Sequence, residues 1–395
     1  MARACKECGS EPVDHRLTYI LVGMDETMRP LSDPGPVMRF LMRRILAFER
    51  AYTPLLFALF IRLGLAKEIA TPDERTLLLA KMIWEEANHR GVTMKEVRLF
   101  NLPRNMFRAH LPTGKTVIFE GMPLPPEANE QATWMDNKAE TKKRFLKAGI
   151  PVARGGSAVT FSGALRIYQS ITAPVIVKPY SGSGSRHTTL HIQDEDALRK
   201  GFESAKQVAP LALIEEELVG PVFRATVVGG KTVGVLRRDP PHVIGDGVHT
   251  VEELVQDANT HPARGGPYFS PIALTPDAEA ELAWQGQNRT SVPEKGKRIT
   301  LHQKVNWSLG GTTADVTDET HDDNRLLFER VAEELKTPLV GIDFIIEDVT
   351  RSWKEQERAG VIECNSMPFF DNHHLPFEGN PRNVAGAIWD LYLYH

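Results

Sequence analysis

Asp343, Glu363 and Asn365 sit in two short, mostly apolar runs near the end of the chain, Gly341–Ile346 and Val361–Pro368. Both runs read as strands, so Glu363 and Asn365 point to the same face. The polar stretch between them, residues 347–360, reads as an exposed hairpin loop centred near residue 353. Antiparallel pairing about that centre places Asp343 opposite Glu363. Two carboxylates side by side repel, and a carboxamide oxygen beside them completes a set of hard donors that suits Mg²⁺. The competing reading is a turn-capping acid and a solvated acid at a sheet edge.

A second group of residues could handle phosphate. Val175–Lys178 reads as a buried strand ending in Lys178, and Ser181-Gly182-Ser183-Gly184-Ser185 follows at once. Backbone N–H groups of such a run can wrap an anion, with Lys178 as a fixed positive charge. The run is not a Walker loop, because no Gly-Lys-Ser/Thr follows and the next segment, Thr188–Ile192, reads as a strand. A solvent hairpin tip is the alternative. Lys138 falls in the first turn of a helix expected over Asn137–Ala148. Glu215, Glu216 and Glu217 end a strand, either as a solvated edge or as acids that read an adenine or ribose. Arg224 and Arg237 alternate with apolar residues on a hairpin, Phe223–Val228 and Thr232–Arg238, which predicts a cleft shared by the two.

The remaining elements must position these groups. Helices are expected over 37–68, 76–90, 194–206 and 324–335, and strands over 93–100, 117–120 and 211–214. Residues 1–15 read as a flexible N-terminus, 16–125 as a mixed α/β domain without a catalytic motif, and 123–129 as a proline-rich joint. Residues 130–218 and 219–395 then form two lobes. The fold class is α+β. In 37–68, Leu55–Leu65 is apolar nearly all round, which predicts a buried helix or a homo-oligomer contact, with a membrane-surface helix as the minor alternative. Cys5 and Cys8 form a CxxC with no second CxxC; His15 is a third candidate ligand, and a partner chain would have to supply the rest of a zinc site.

Composition sets the outer bounds. The 395 residues are 42% hydrophobic and 25% charged, which suits a folded chain of two or three domains. A net charge of −4 argues against a general nucleic-acid binder, and three cysteines give no disulfide framework. Met1–Asp14 lacks a secretory pattern, and no run is apolar enough for a membrane span. A cytoplasmic location is expected.

The order of the chemical groups (lysine, strand lysine, glycine-rich loop, acidic strand end, Asp…Glu-x-Asn) resembles that of ATP-grasp enzymes. Longer stretches are similar to the ATP-grasp region of cyanophycin synthetases and bifunctional glutathione synthetases: Gly245-Asp246-Gly247-Val248-His249-Thr250-Val251-Glu252-Glu253-Leu254, Ser291-Val292-Pro293, Asn306-Trp307-Ser308-Leu309-Gly310-Gly311-Thr312, Asp315-Val316-Thr317-Asp318, and the run from Glu363 to Gly379. The resemblance covers about residues 130–395. It implies two lobes with ATP between them. Lys138 and Lys178 would contact phosphates, Ser181–His187 would cover them, and Glu215 would hold adenine, with Glu217 serving the ribose. Asp343, Glu363 and Asn365 would hold one or two Mg²⁺ ions. Asn306, Gly310 and Gly311 would lie in a larger loop at the reacting carboxylate, with Lys178 and Arg237 stabilising the transferred charge. Val222 and His302 depart from the pattern, where an acid and an arginine are usual; Arg298 or Lys304 is expected to compensate. The Mur-ligase-like half and the glutamate–cysteine ligase half of those relatives do not occur in these residues.

The implied activity is an ATP-dependent carboxylate–amine ligase acting on small molecules. Phosphoryl transfer without amide formation, a non-catalytic nucleotide-binding partner and a membrane-docked assembly factor are the competing readings.

Overall fold

The computed structural model describes residues 5, 14–32, 44, 52–125, 135, 138–172, 174–180, 186–266, 268–303, 305 and 307–393. The calls on Ser181–Ser185, Lys304, Asn306 and Cys8 lie outside these residues. No described helix is long and apolar enough to cross a membrane.

The first elements are α1 (His15–Ser32), α2 (52–62), β1 (Ala66–Ile69), α3 (Leu78–His89), β2 (Thr93–Leu99), β3 (Met106–His110) and β4 (Thr116–Glu120). The four strands form one antiparallel sheet in the order β1-β2-β3-β4. The helix expected to continue to Glu68 stops earlier, because Ala66–Ile69 pairs with β2. In α2 only Phe57 is buried; Leu55, Leu59 and Leu63 are exposed. The expectation of a helix buried within its own chain therefore fails for that face.

Two more sheets follow. The first is built from β5 (Gly155–Ala158), α5 (Phe161–Gln169), β6 (Val175–Pro179), β7 (Thr189–Ile192), α6 (Glu195–Lys206) and β8 (Ala212–Glu216), in the strand order β5-β8-β6-β7. A helix before it, α4 (Lys138–Lys147), carries two of the lysines discussed below. Asp194 caps α6 by accepting the Ala197 N–H at 2.8 Å. Leu198, Phe202 and Ala205 recur at helical spacing and bury one face against Val175, Val177 and Ile214.

The largest sheet has the order β13-β10-β9-β14-β15, from β9 (Val222–Val228), β10 (Lys231–Asp239), β13 (Thr312–Asp315), β14 (Leu339–Ile345) and β15 (Gly360–Asn365). One face packs Phe223, Ala225, Val227, Ile342 and Phe344 against Leu327, Phe328, Val331 and Leu335 of α9 (Asp322–Leu335). A smaller unit holds β11 (His242–Ile244), α7 (Val251–Asn259), α8 (Pro276–Trp284) and β12 (Arg298–Thr300), with β11 and β12 paired. Within it, the Thr250 and Glu253 side chains form a capping box on α7. The HTVEEL motif thus has a local structural cause.

The last helices are α10 (Asp371–His374) and α11 (Val384–Leu393). Val384, Ile388 and Trp389 of α11 bury themselves with Ile83, Trp84, Phe107 and Phe119 of the N-terminal sheet and its helix. The Trp389 indole N–H donates to the Ile83 carbonyl at 2.9 Å. The two ends of the chain therefore share one core, which no local pattern announces.

Candidate active site

A cavity of about 190 Å³ opens between the second and third sheets, lined among others by Lys138, Lys142, Lys178, Glu215, Glu363 and Asn365. The alternation of β6 turns Lys178 away from Val175 and Val177, which enter the core. Glu215 stands in the adjacent strand and accepts from Lys178 Nζ at 2.7 Å and Lys142 Nζ at 2.9 Å. Burial alone raises the pKa of Glu215, but the two lysines outweigh it and bring the carboxyl down to about 2. Burial and the charge of Lys178 together hold Lys138 below the ordinary lysine range, against the pull of Glu363 and Glu215. Lys142 and Lys178 share the single carboxylate of Glu215, which leaves that group with a net positive charge suited to phosphate.

The opposite wall comes from β14 and β15. Their register pairs Gly341 with Asn365 and Asp343 with Glu363, the pairing expected from the loop centre. Asp343, however, is already balanced within the protein. Arg224 Nη2 donates to Asp343 Oδ2 at 2.8 Å, Arg224 Nε donates to Oδ1, and Arg238 Nη1 lies 3.4 Å from Oδ2. Burial disfavours the charged carboxylate, yet Arg224 and then Arg238 hold it below the usual aspartate range. The charge that the sequence reading left to a metal is thus supplied in part by two arginines.

Arg238 takes the place expected for Arg237. In a regular hairpin around Gly229-Gly230, Arg237 shares a face with Arg224. A bulge between Thr232 and Gly234 adds one residue to β10, so Leu236 pairs with Arg224 and Arg238 moves to the carboxylate face. Arg237 turns to the other face and donates to Asp239 at 2.8 Å. Gly234 has a packing reason: a Cβ there would lie 2.5 Å from His373 Nδ1. His373 is fully buried and hydrogen-bonded to Thr226 at 2.8 Å.

Arg238 also lies over the Trp307 ring, 5.4 Å from its centre. This contact ties the carboxylate face to the segment carrying Gly310 and Gly311. Gly310 has φ +95°, and a Cβ there would meet Ile272 Cγ1 at 2.7 Å. Its carbonyl accepts from Arg264 at 2.9 Å. Glu217 is engaged elsewhere, with His191 Nδ1 2.8 Å from Oε1. Arg298 pairs with Asp239 at 2.9 Å. Neither lines the cavity. Asp315 and Asp318, quoted above as a motif, both accept from Arg382, at 2.7 and 2.6 Å. Cys364 packs into the core, where burial pushes its thiol up.

The donor set for Mg²⁺ fits in part. Glu363 makes no hydrogen bond or ion pair among the described residues, and the buried Asn365 Nδ2 has no partner among them. These two present a carboxylate and a carboxamide to the cavity, with Lys138, Arg224 and Arg238 near enough to feel the charge of Glu363, a donor pair that suits a hard cation arriving with phosphate. Asp343 fits only as a shared ligand with its arginines.

No protein-family model matches the chain. Cyanophycin synthetase from Nostoc sp. is 35% identical over 260 residues, 65% of this chain and 29% of that protein. The glutathione biosynthesis bifunctional protein GshAB of Mannheimia succiniciproducens is 34% identical over 267 residues, 65% of this chain and 35% of that protein. The crystal structure of a bifunctional glutathione synthetase from Pasteurella multocida superposes with a TM-score of 0.60 at 26% identity, over 80% of this chain and 43% of that one. The chain has an ATP-grasp fold. It spans about a third of the length of the curated relatives it matches, and those relatives are ATP-grasp ligases.

Proposed function

We propose that the chain is an ATP-dependent carboxylate–amine ligase, forming an amide or peptide bond on an amino acid or short peptide through an acyl phosphate. The observation that carries this reading is the cavity in which Lys138, Lys142 and Lys178 face Glu363 and Asn365 across two sheets. Lys138 and Lys178 bind the phosphates of ATP, and Glu215 fixes Lys178 in place through its ion pair. Glu363 and Asn365, with Asp343 at the edge of the set, would hold Mg²⁺, which would supply positive charge against that of the phosphates.

A carboxylate oxygen of the substrate attacks the γ-phosphorus, the bond to the bridging oxygen breaks, and ADP leaves. Arg238, steadied by Asp343 and Trp307, offers its guanidinium to the transferred phosphoryl group, the part expected of Arg237 from the sequence. The amine then attacks the acyl carbon, phosphate leaves, and the amine loses a proton. The chain's own task is positioning and water exclusion, because water would otherwise hydrolyse the acyl phosphate. Gly310 and Gly311 form the side on which the carboxylate is received; Asn306 and Ser181–Ser185 keep only the roles expected of them from the sequence. Such chemistry fits the cytoplasmic location expected above.

The pairing of Asp343 with two arginines favours one other reading, an ATP-binding protein without turnover. The two are separated by measuring phosphate release over pairs of amino acids and dipeptides. The ligase reading expects release that needs both an acid and an amine. Tight ATP binding with no release for any pair overturns it.

A further inference from the structure

We propose that Cys5, His15 and His187 form a zinc-binding site that pins the N-terminal segment to the second sheet. The three residues are far apart in sequence, yet one ligand atom from each lies within 4.8 Å of the others. Cys5 Sγ stands 3.9 Å from His187 Nε2. The rings of His15 and His187 meet edge to face, with centres 4.7 Å apart. Thiolate and imidazole ligands around one zinc ion lie about 3.3–3.8 Å from one another, so the set closes with shifts of about 1 Å.

Two of the three ligands are held by their surroundings. His187 is fully buried in the turn before β7 and holds φ +54°, a left-handed conformation that a histidine adopts at a cost. Its Nδ1 is bonded to Ser204 Oγ of α6 at 3.2 Å, which leaves Nε2 directed at Cys5. This is the outer-shell contact that orients a metal-binding histidine. His15 opens α1, whose start is fixed by Asp14: its Oδ1 accepts the N–H groups of Arg16 and Leu17, each at 3.0 Å. One thiolate and two neutral imidazoles suit zinc rather than the hard cation expected in the cavity. The sequence offered half of a zinc motif and left the remainder to a partner chain; the fold supplies His187 from 172 positions beyond His15. None of the three residues lines the cavity, although His187 closes the Ser181–His187 stretch expected to cover phosphates, and the metal proposal does not depend on the ligase reading.

The test uses the full chain, stripped with a chelator and dialysed against a small excess of zinc. Elemental analysis is expected to find one zinc per chain. Cobalt(II) in its place, with water as the fourth ligand, is expected to give the visible bands of a tetrahedral ion and a thiolate charge-transfer band. Cys5→Ser, His15→Gln and His187→Gln each lose the stoichiometric metal, with near-ultraviolet circular dichroism recording that the fold persists. Ser204→Ala weakens zinc binding by about 10-fold. Should His187→Gln fail to fold, His15→Gln decides. The proposal is overturned if the wild type retains no zinc, or if His15→Gln binds it as tightly as the wild type.

Discussion

Glu215→Gln tests the electrostatics of the phosphate wall. An ordinary glutamate carboxyl titrates at 4.5, and the one in the cavity at about 2. At about 1.4 kcal/mol per pH unit, that gap corresponds to about 3 kcal/mol of stability at neutral pH. The folded pKa is depressed, so this contribution is complete above pH 4.5 and is lost as pH falls towards 2. Glutamine cannot supply it, and it leaves Lys142 and Lys178 facing each other without their shared anion. Urea unfolding at pH 7 is therefore expected to show a loss of about 3 kcal/mol in the variant. At pH 3 the difference shrinks to about 1–2 kcal/mol, because the wild type has lost much of its own advantage. ATP binding is expected to weaken as well, since Lys178 loses the ion pair that fixes it in place. An equal stability difference at both pH values would refute the assignment of the shift to Lys178 and Lys142.

Because the bulge turns Arg238 rather than Arg237 to the carboxylate face, Arg238→Met is expected to lower turnover by about 10-fold or more, while Arg237→Met leaves it within about twofold. Steady-state kinetics on the two variants decide which arginine faces the transferred phosphoryl group. Glu363→Gln is expected to keep the wild-type melting temperature and to lose the Mg²⁺-dependent part of ATP affinity, read by calorimetry with and without the ion. Asp343→Asn differs: it leaves Arg224 and Arg238 buried without their anion, so a loss of about 3 kcal/mol in stability should accompany the loss of activity. Gly310→Ala places a methyl group against Ile272 at a positive φ, and denaturant unfolding is expected to show a loss of more than about 1 kcal/mol.

Much of the site could be read in the sequence because its parts are local. The Asp343–Glu363 register follows from two apolar runs and the centre of one polar loop. Lys178 and Glu215 lie on strands whose alternation is plain. Arg237 leaves the face expected of it because a single inserted residue at Thr232–Gly234 reverses every side chain after it, at a glycine packed against the ring of His373 more than a hundred positions away. The ion pairs of Arg224 and Arg238 with Asp343 are likewise contacts between strands distant in sequence. So are the docking of α11 on the N-terminal sheet and the meeting of Cys5 with His187. Apolar periodicity locates elements; it does not say which of them will share a core.

The central claim is that both an acid and an amine are consumed with ATP through an acyl phosphate. Incubation with a panel of amino acids and dipeptides carrying heavy oxygen in their carboxyl groups, read by mass spectrometry, tests it in one experiment. Expected are ADP, phosphate that has gained one heavy oxygen, and a product whose mass is that of labelled acid plus amine less one heavy-oxygen water. ADP formed with unlabelled phosphate, or without any condensed product, would contradict it.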